Sequence, residues 1–91
     1  MERSERPAEI ERRLQAAFEP ESLLVEDESH LHAGHAGAKD GRGHFRVSIV
    51  SAAFEGMNPI ARHRAVYDVM GELMQTDIHA LSIEALASSE L

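Results

Sequence analysis

Between His30 and Gly43 the chain carries Gly34, Gly37, Gly41 and Gly43 and almost no large apolar residue. Such a stretch cannot contribute much to a core, so it is expected as a long exposed loop, and loops of that length are usually functional or disordered. The core must then be assembled from the segments on either side. With 91 residues the chain can bury one modest core and not two. A single domain over 1–91 is expected, with 1–6 and 88–91 as frayed ends and 30–43 as the Gly/His loop.

Before the loop, Pro7 suits the first turn of a helix, where its missing N–H would have no partner, and Ile10, Leu14, Ala17 and Phe18 recur at helical spacing. The pattern predicts a helix over 7–18 that Pro20 stops. Leu23-Leu24-Val25, followed by acidic residues, predicts a short strand ending near Ser29. After the loop, Phe45, Val47 and Ile49 alternate with Arg46 and Ser48, the period of a strand with one buried face. The two strands form a hairpin around the loop in this reading.

Asn58-Pro59 supplies an N-cap and a first-turn proline, and Ile60, Val66, Val69, Met70, Leu73 and Met74 continue a helical stripe to about Gln75, in one helix or two. A last strand is expected over 78–85, with His79, Leu81, Ile83 and Ala85 on one face and Ala80, Ser82 and Glu84 on the other. The order is α-β-β-α-α-β. It predicts an α+β domain with helices packed on one face of a three-stranded sheet.

Acidic residues outnumber basic ones 16 to 9, a formal charge of -7, which opposes broad attraction to nucleic-acid phosphates. The chain has no cysteine, so disulfides, thiolate catalysis and a self-contained cysteine-ligated iron–sulfur site are excluded. Any thiolate ligand must come from a partner. No apolar run has the length of a signal core or a membrane span, and a cytoplasmic, membrane-free protein is expected. No nucleophile with a paired base, phosphate-cradling loop or spaced carboxylate pair is visible, so no enzymatic reaction is expected.

Six histidines remain to be explained: His30, His32, His35, His44, His63 and His79. Four lie in or beside the glycine-rich loop. Imidazole is a common metal ligand and titrates near physiological pH, and a loop lets it reach a metal carried by another molecule. A zinc site of His32, His35 and His44 alone would lack the fourth ligand that structural zinc normally takes. For His63, inside Arg62-His63-Arg64, a capping or packing role is favoured. His79, on the parity of Leu81 and Ile83, reads from the strand pattern alone more as a partly buried, hydrogen-bonded core histidine than as a ligand.

Taken in order, Glu28-Ser29 ahead of the loop histidines, His44-Phe45-Arg46-Val47, Ile49-Val50-Ser51, Phe54-Glu55-Gly56, Arg62-His63-Arg64 with Tyr67, and His79-Ala80-Leu81-Ser82 resemble the BolA family over nearly the whole chain. The resemblance implies a fold similar to the class II KH arrangement. It also implies pairing with a monothiol glutaredoxin and a [2Fe-2S] cluster held between the two proteins. The glutaredoxin and glutathione each supply a thiolate in that picture, and this chain supplies His79 and a loop histidine, His32, with His35 as the alternative. His44, His63, Arg62 and Arg64 are left as structural or partner-contact residues. A homodimer is the alternative assembly for the free protein.

The competing expectation is a DNA-binding transcriptional regulator of stress response and cell morphology, since some family members are described so. Arg46, Arg62 and Arg64 would have to form its basic patch, against a net charge that disfavours it. Gly34-His35-Ala36-Gly37 spells the GXXG of a KH clamp, but in a hairpin loop and not between two helices.

Overall fold

A computed structural model describes residues 1–32 and 41–91 of the chain. Helix α1 spans Arg6–Phe18, with Pro7 in its first turn as expected. It ends where Glu19 takes a left-handed conformation, φ 43°, ahead of Pro20, and the Glu19 N–H closes the last turn on the Gln15 carbonyl. Strand β1 is Ser22–Asp27, and the next residues, Ser29–His32, wind into a 3-10 turn where the sequence pattern had extended the strand toward Ser29.

Strand β2, Gly43–Val50, forms the centre of the sheet. It pairs antiparallel with β1 in the expected hairpin, Leu23 opposite Ile49 and Val25 opposite Val47. A 3-10 turn over Ala52–Phe54 follows, capped by the Ser51 side chain, whose Oγ accepts from Ala53 N and donates to the Phe18 carbonyl. Helix α2, Pro59–Met70, starts at an Asn58 cap that accepts from Ala61 N at 2.8 Å. Gly71 breaks the helical stripe, and a short α3 covers Leu73–Thr76. Strand β3, Ile78–Leu86, then pairs parallel with β2, a pairing that needs the α2–α3 crossover.

The result is the expected α-β-β-α-α-β order, a three-stranded mixed sheet with helices on one face. Ile10 and Leu14 of α1, Val66 and Met70 of α2, and Leu73 of α3 meet Phe45, Val47, Ile49, Ile78 and Leu81 of the sheet. Phe54 and Ala87 complete this core, and the rings of Phe18 and Phe54 lie 4.9 Å apart at its margin. Burying side chains of this size at roughly 1.5–3 kcal/mol each is the main favourable term in the fold.

One reading of the helical stripe is corrected. Ile60 is 66% exposed, and the inward position one turn before Val66 belongs to Arg62. The segments expected to fray, 1–6 and 88–91, carry defined 3-10 turns at Arg3–Glu5 and Ser88–Glu90. The second is tied down by Arg62–Glu90 at 2.5 Å and by Glu55, whose carboxylate accepts from Ser89 N and Oγ.

Candidate functional site

The parallel β2–β3 pair is irregular at its start. Gly43 faces Ile78, but His44 faces Ala80, so His79 is one extra residue on β3. The bulge resets the alternation, and Ile78 and Leu81, three residues apart, both point into the core. His79 is thereby turned out to solvent. The reading of His79 as a half-buried core histidine is corrected, because it rested on an uninterrupted two-residue period.

Several contacts fix this corner. The Gly43 N–H donates to the Asp77 carbonyl at 2.8 Å, joining the first residues of both strands. A Cβ on Gly43 would stand 2.7 Å from both Phe45 Cε2 and Ser29 Oγ, so the close approach requires glycine. Asp77 is itself buried and ion-paired to Arg6 of α1 at 2.8 Å. The Thr76 hydroxyl and then the Arg6 guanidinium hold its carboxyl below the ordinary value of 3.8. Arg42 closes the corner from above: one guanidinium nitrogen donates to the Met74 carbonyl at 3.2 Å and the other lies 3.0 Å from His79 Nδ1.

His44 is the second histidine at this corner. It lies on the strand parity of Arg46 and Ser48, away from the helices, yet is only 8% exposed. The turn Ser29–His32 packs on this part of β2: His44 N donates to Ser29 Oγ at 3.1 Å and Glu28 N to the His44 carbonyl at 2.8 Å. The rings of His44 and His79 are 5.2 Å apart, tilted by 45°. Beside them, on the helix-free face, runs an open groove of about 450 Å³ lined by Glu28, Leu31, Arg46, Ala80 and Ser82 among others.

The backbone of His32 ends the Ser29–His32 turn, and its side chain lies outside the described residues, as do His35 and the Gly34–Gly37 GXXG spelling. Among the described residues no three His, Asp or Glu side chains group so as to hold a metal unaided.

The expected structural role of His63 is also corrected. His63 is exposed, and Arg62 does the packing. Its guanidinium donates to the Met57 carbonyl at 2.9 Å, to the Ala85 carbonyl at 3.0 Å and to Glu90. A residue one step along a helix is rotated by about 100°, so Arg62 joins the inward row of Val66 and Met70 and His63 leaves it. Nor do Arg46, Arg62 and Arg64 make one basic patch. Arg62 is buried on the helix side, whereas Arg46 lies on the other face of the sheet, paired to Glu28 at 3.1 Å with Glu26 and Glu84 nearby. Sequence reasoning passed over Arg42 and Asp77; only the Thr76-Asp77 pair before a strand offered a local signal, that of a helix end.

Helices on one face of a mixed three-stranded sheet, with a bulge presenting one histidine at the rim, define a small α+β histidine-bearing module. The model of the BolA-like proteins matches residues 14–90, and the chain belongs to the BolA family. It is 48% identical over 88 residues to "Protein BOLA1, chloroplastic" of Arabidopsis thaliana, covering 93% of this chain and 55% of that protein. The chain thus spans about half the length of that relative. The solved structure of "BolA1 from Arabidopsis thaliana" superposes with a TM-score of 0.81 at 46% identity, covering 93% of this chain and 94% of that one. The "DNA-binding transcriptional regulator BolA" of Haemophilus influenzae is 36% identical over 81 residues, 89% of this chain and 76% of the relative. Among the described residues no helix is long and apolar enough to cross a membrane.

Proposed function

We propose that the chain is a partner of a monothiol glutaredoxin and shares a [2Fe-2S] cluster with it, in iron–sulfur trafficking or iron sensing, without catalysing a reaction itself. His79 is the fixed ligand in this reading and His32 the loop ligand, with His35 as the alternative. The observation that carries it is the bulge at the start of β3, which exposes His79 where a regular strand would bury it. The carriage of thiolates falls to the glutaredoxin cysteine and glutathione, since this chain has no cysteine. Bound in this way, the cluster supplies one-electron redox chemistry and a transferable iron–sulfur unit. The task of this chain's residues is to hold and aim an imidazole: Gly43 and Asp77 fix the strand starts, and the Ser29–His32 turn packs beside His44 at the same rim.

The test is to add the protein to cluster-loaded monothiol glutaredoxin and record visible absorption and circular dichroism. A new spectrum that disappears with His79→Ala supports the reading. An unchanged spectrum, with no complex on gel filtration, ends it.

A second reading, a DNA-binding regulator, draws on the names of relatives such as the Haemophilus influenzae protein. Its basic residues are dispersed: Arg62 is buried and Arg46 is ion-paired. Fluorescence anisotropy with duplex DNA at low and at physiological salt separates the two readings, because binding through phosphates weakens steeply with salt.

A further inference from the structure

The chemistry of the Arg42–His79 contact is more restrictive than its length. A guanidinium has only donors, so a hydrogen bond from Arg42 at 3.0 Å requires His79 Nδ1 to accept. In a neutral imidazole that places the proton on Nε2. The ring then has one lone pair, and it is engaged by Arg42. A metal can reach His79 in two ways. Binding at Nδ1 puts the metal where Arg42 now donates. Binding at Nε2 needs the proton moved to Nδ1, where it would face a second donor. Either way the guanidinium must withdraw, and its other nitrogen is anchored on the Met74 carbonyl at 3.2 Å.

We infer that Arg42 is a latch on His79: it holds the ring in the Nε2–H tautomer, with its lone pair occupied, and must be displaced before the ring can ligate metal. This rests on His79 being an iron ligand. Arg42 is therefore a positioning residue that opposes capture of stray metal by the free protein, and docking of a cluster-bearing partner has to release it. An affinity lowered by the fraction of molecules already unlatched follows from such an arrangement.

The tautomer is read directly in the metal-free protein by long-range proton–nitrogen correlation spectra of 15N-labelled histidine, with the His79 signals assigned by their loss in His79→Ala. The wild type is expected to show Nδ1 unprotonated and Nε2 protonated. Arg42→Gln, whose amide oxygen can accept from Nδ1–H, should move the ring toward the other tautomer, and Arg42→Ala should populate both. With [2Fe-2S]-loaded monothiol glutaredoxin, Arg42→Ala should bind about 3- to 10-fold more tightly than the wild type. A wild-type ring protonated on Nδ1, or an Arg42→Ala affinity no better than the wild type, overturns the latch. Should neither protein retain cluster, the shared-cluster reading fails, and the nitrogen spectra alone then decide whether Arg42 sets the tautomer.

Discussion

The imidazoles of His44 and His79 face each other across the start of the β2–β3 pair, 5.2 Å between ring centres, one buried under the Ser29–His32 turn and the other open to solvent. Equal in chemistry, they differ in what their removal leaves behind. His79→Ala should change stability by no more than about 0.5 kcal/mol, as surface substitutions usually do, while abolishing the spectral change with cluster-loaded glutaredoxin. His44→Ala opens space beneath the turn and should cost about 1–3 kcal/mol. Urea denaturation beside visible circular dichroism separates the two, and a His79→Ala variant that still gives the wild-type spectrum would remove His79 from the site. His32→Ala is expected to weaken cluster retention without loss of fold.

Gly43→Ala tests the corner itself. The added methyl would stand 2.7 Å from Phe45 Cε2 and from Ser29 Oγ, so the core ring or the turn must give way. Overpacking of this kind costs about 1–3 kcal/mol. Because the Gly43 N–H bonds to the Asp77 carbonyl, His79 should move as well, seen as a shift of its histidine resonances.

Arg62 and His63 are neighbours with opposite expected behaviour. Arg62→Ala leaves the Met57 and Ala85 carbonyls without their donor, and the loss is about 2–4 kcal/mol. The Arg62–Glu90 pair adds little, since Glu90 is partly exposed. His63→Ala should lie within about 0.5 kcal/mol of the wild type. A chemical-denaturation midpoint that falls more for His63→Ala than for Arg62→Ala would reverse the assignment.

Asp77 gives the fold an acid limit. Its carboxyl titrates below 3.8 in the folded chain because of the Thr76 hydroxyl and Arg6, so the folded state binds fewer protons than the unfolded one. The stabilisation is complete above the ordinary carboxylate range and is lost as pH falls through the folded value. Asp77→Asn should therefore destabilise the protein at neutral pH and flatten the decline of stability below about pH 4. Parallel declines in both proteins would show that other carboxylates set the limit.

The shared-cluster reading also predicts a redox ordering. An imidazole in place of a thiolate removes negative charge from an iron site and raises its potential. His79→Cys should then lower the reduction potential of the heterocomplex relative to the wild type in a redox titration. An unchanged potential would mean that residue 79 does not touch the cluster.

The order of elements was legible because apolar residues keep time: Ile10 and Leu14 at helical spacing, Phe45, Val47 and Ile49 at strand spacing, each buried as its period requires. Less legible was anything that broke period. An arginine inside a helical stripe reads as solvent-facing, yet Arg62 lies on the inner row because its fork reaches backbone carbonyls of two other segments. Ile60 reads as core and is exposed, since it lies two residues before Arg62, a rotation of about 200° that puts it on the side away from the inward row. At the candidate site, His79 stood out through the His79-Ala80-Leu81-Ser82 resemblance, but its exposure depends on a bulge that alternation conceals. Arg42 carried no pattern at all. Its contacts join residues far apart in the chain, which no local spacing encodes.

The odd residue between the Gly43–Ile78 and His44–Ala80 pairs acts as a half-step in an otherwise two-beat strand. Ile78 and Leu81 keep their seats on either side of it, and position 79 answers to the surroundings instead of to its neighbours. A side chain of different bulk or chemistry can be exchanged there without loosening the sheet, so cohesion and outward reach can change independently within one strand.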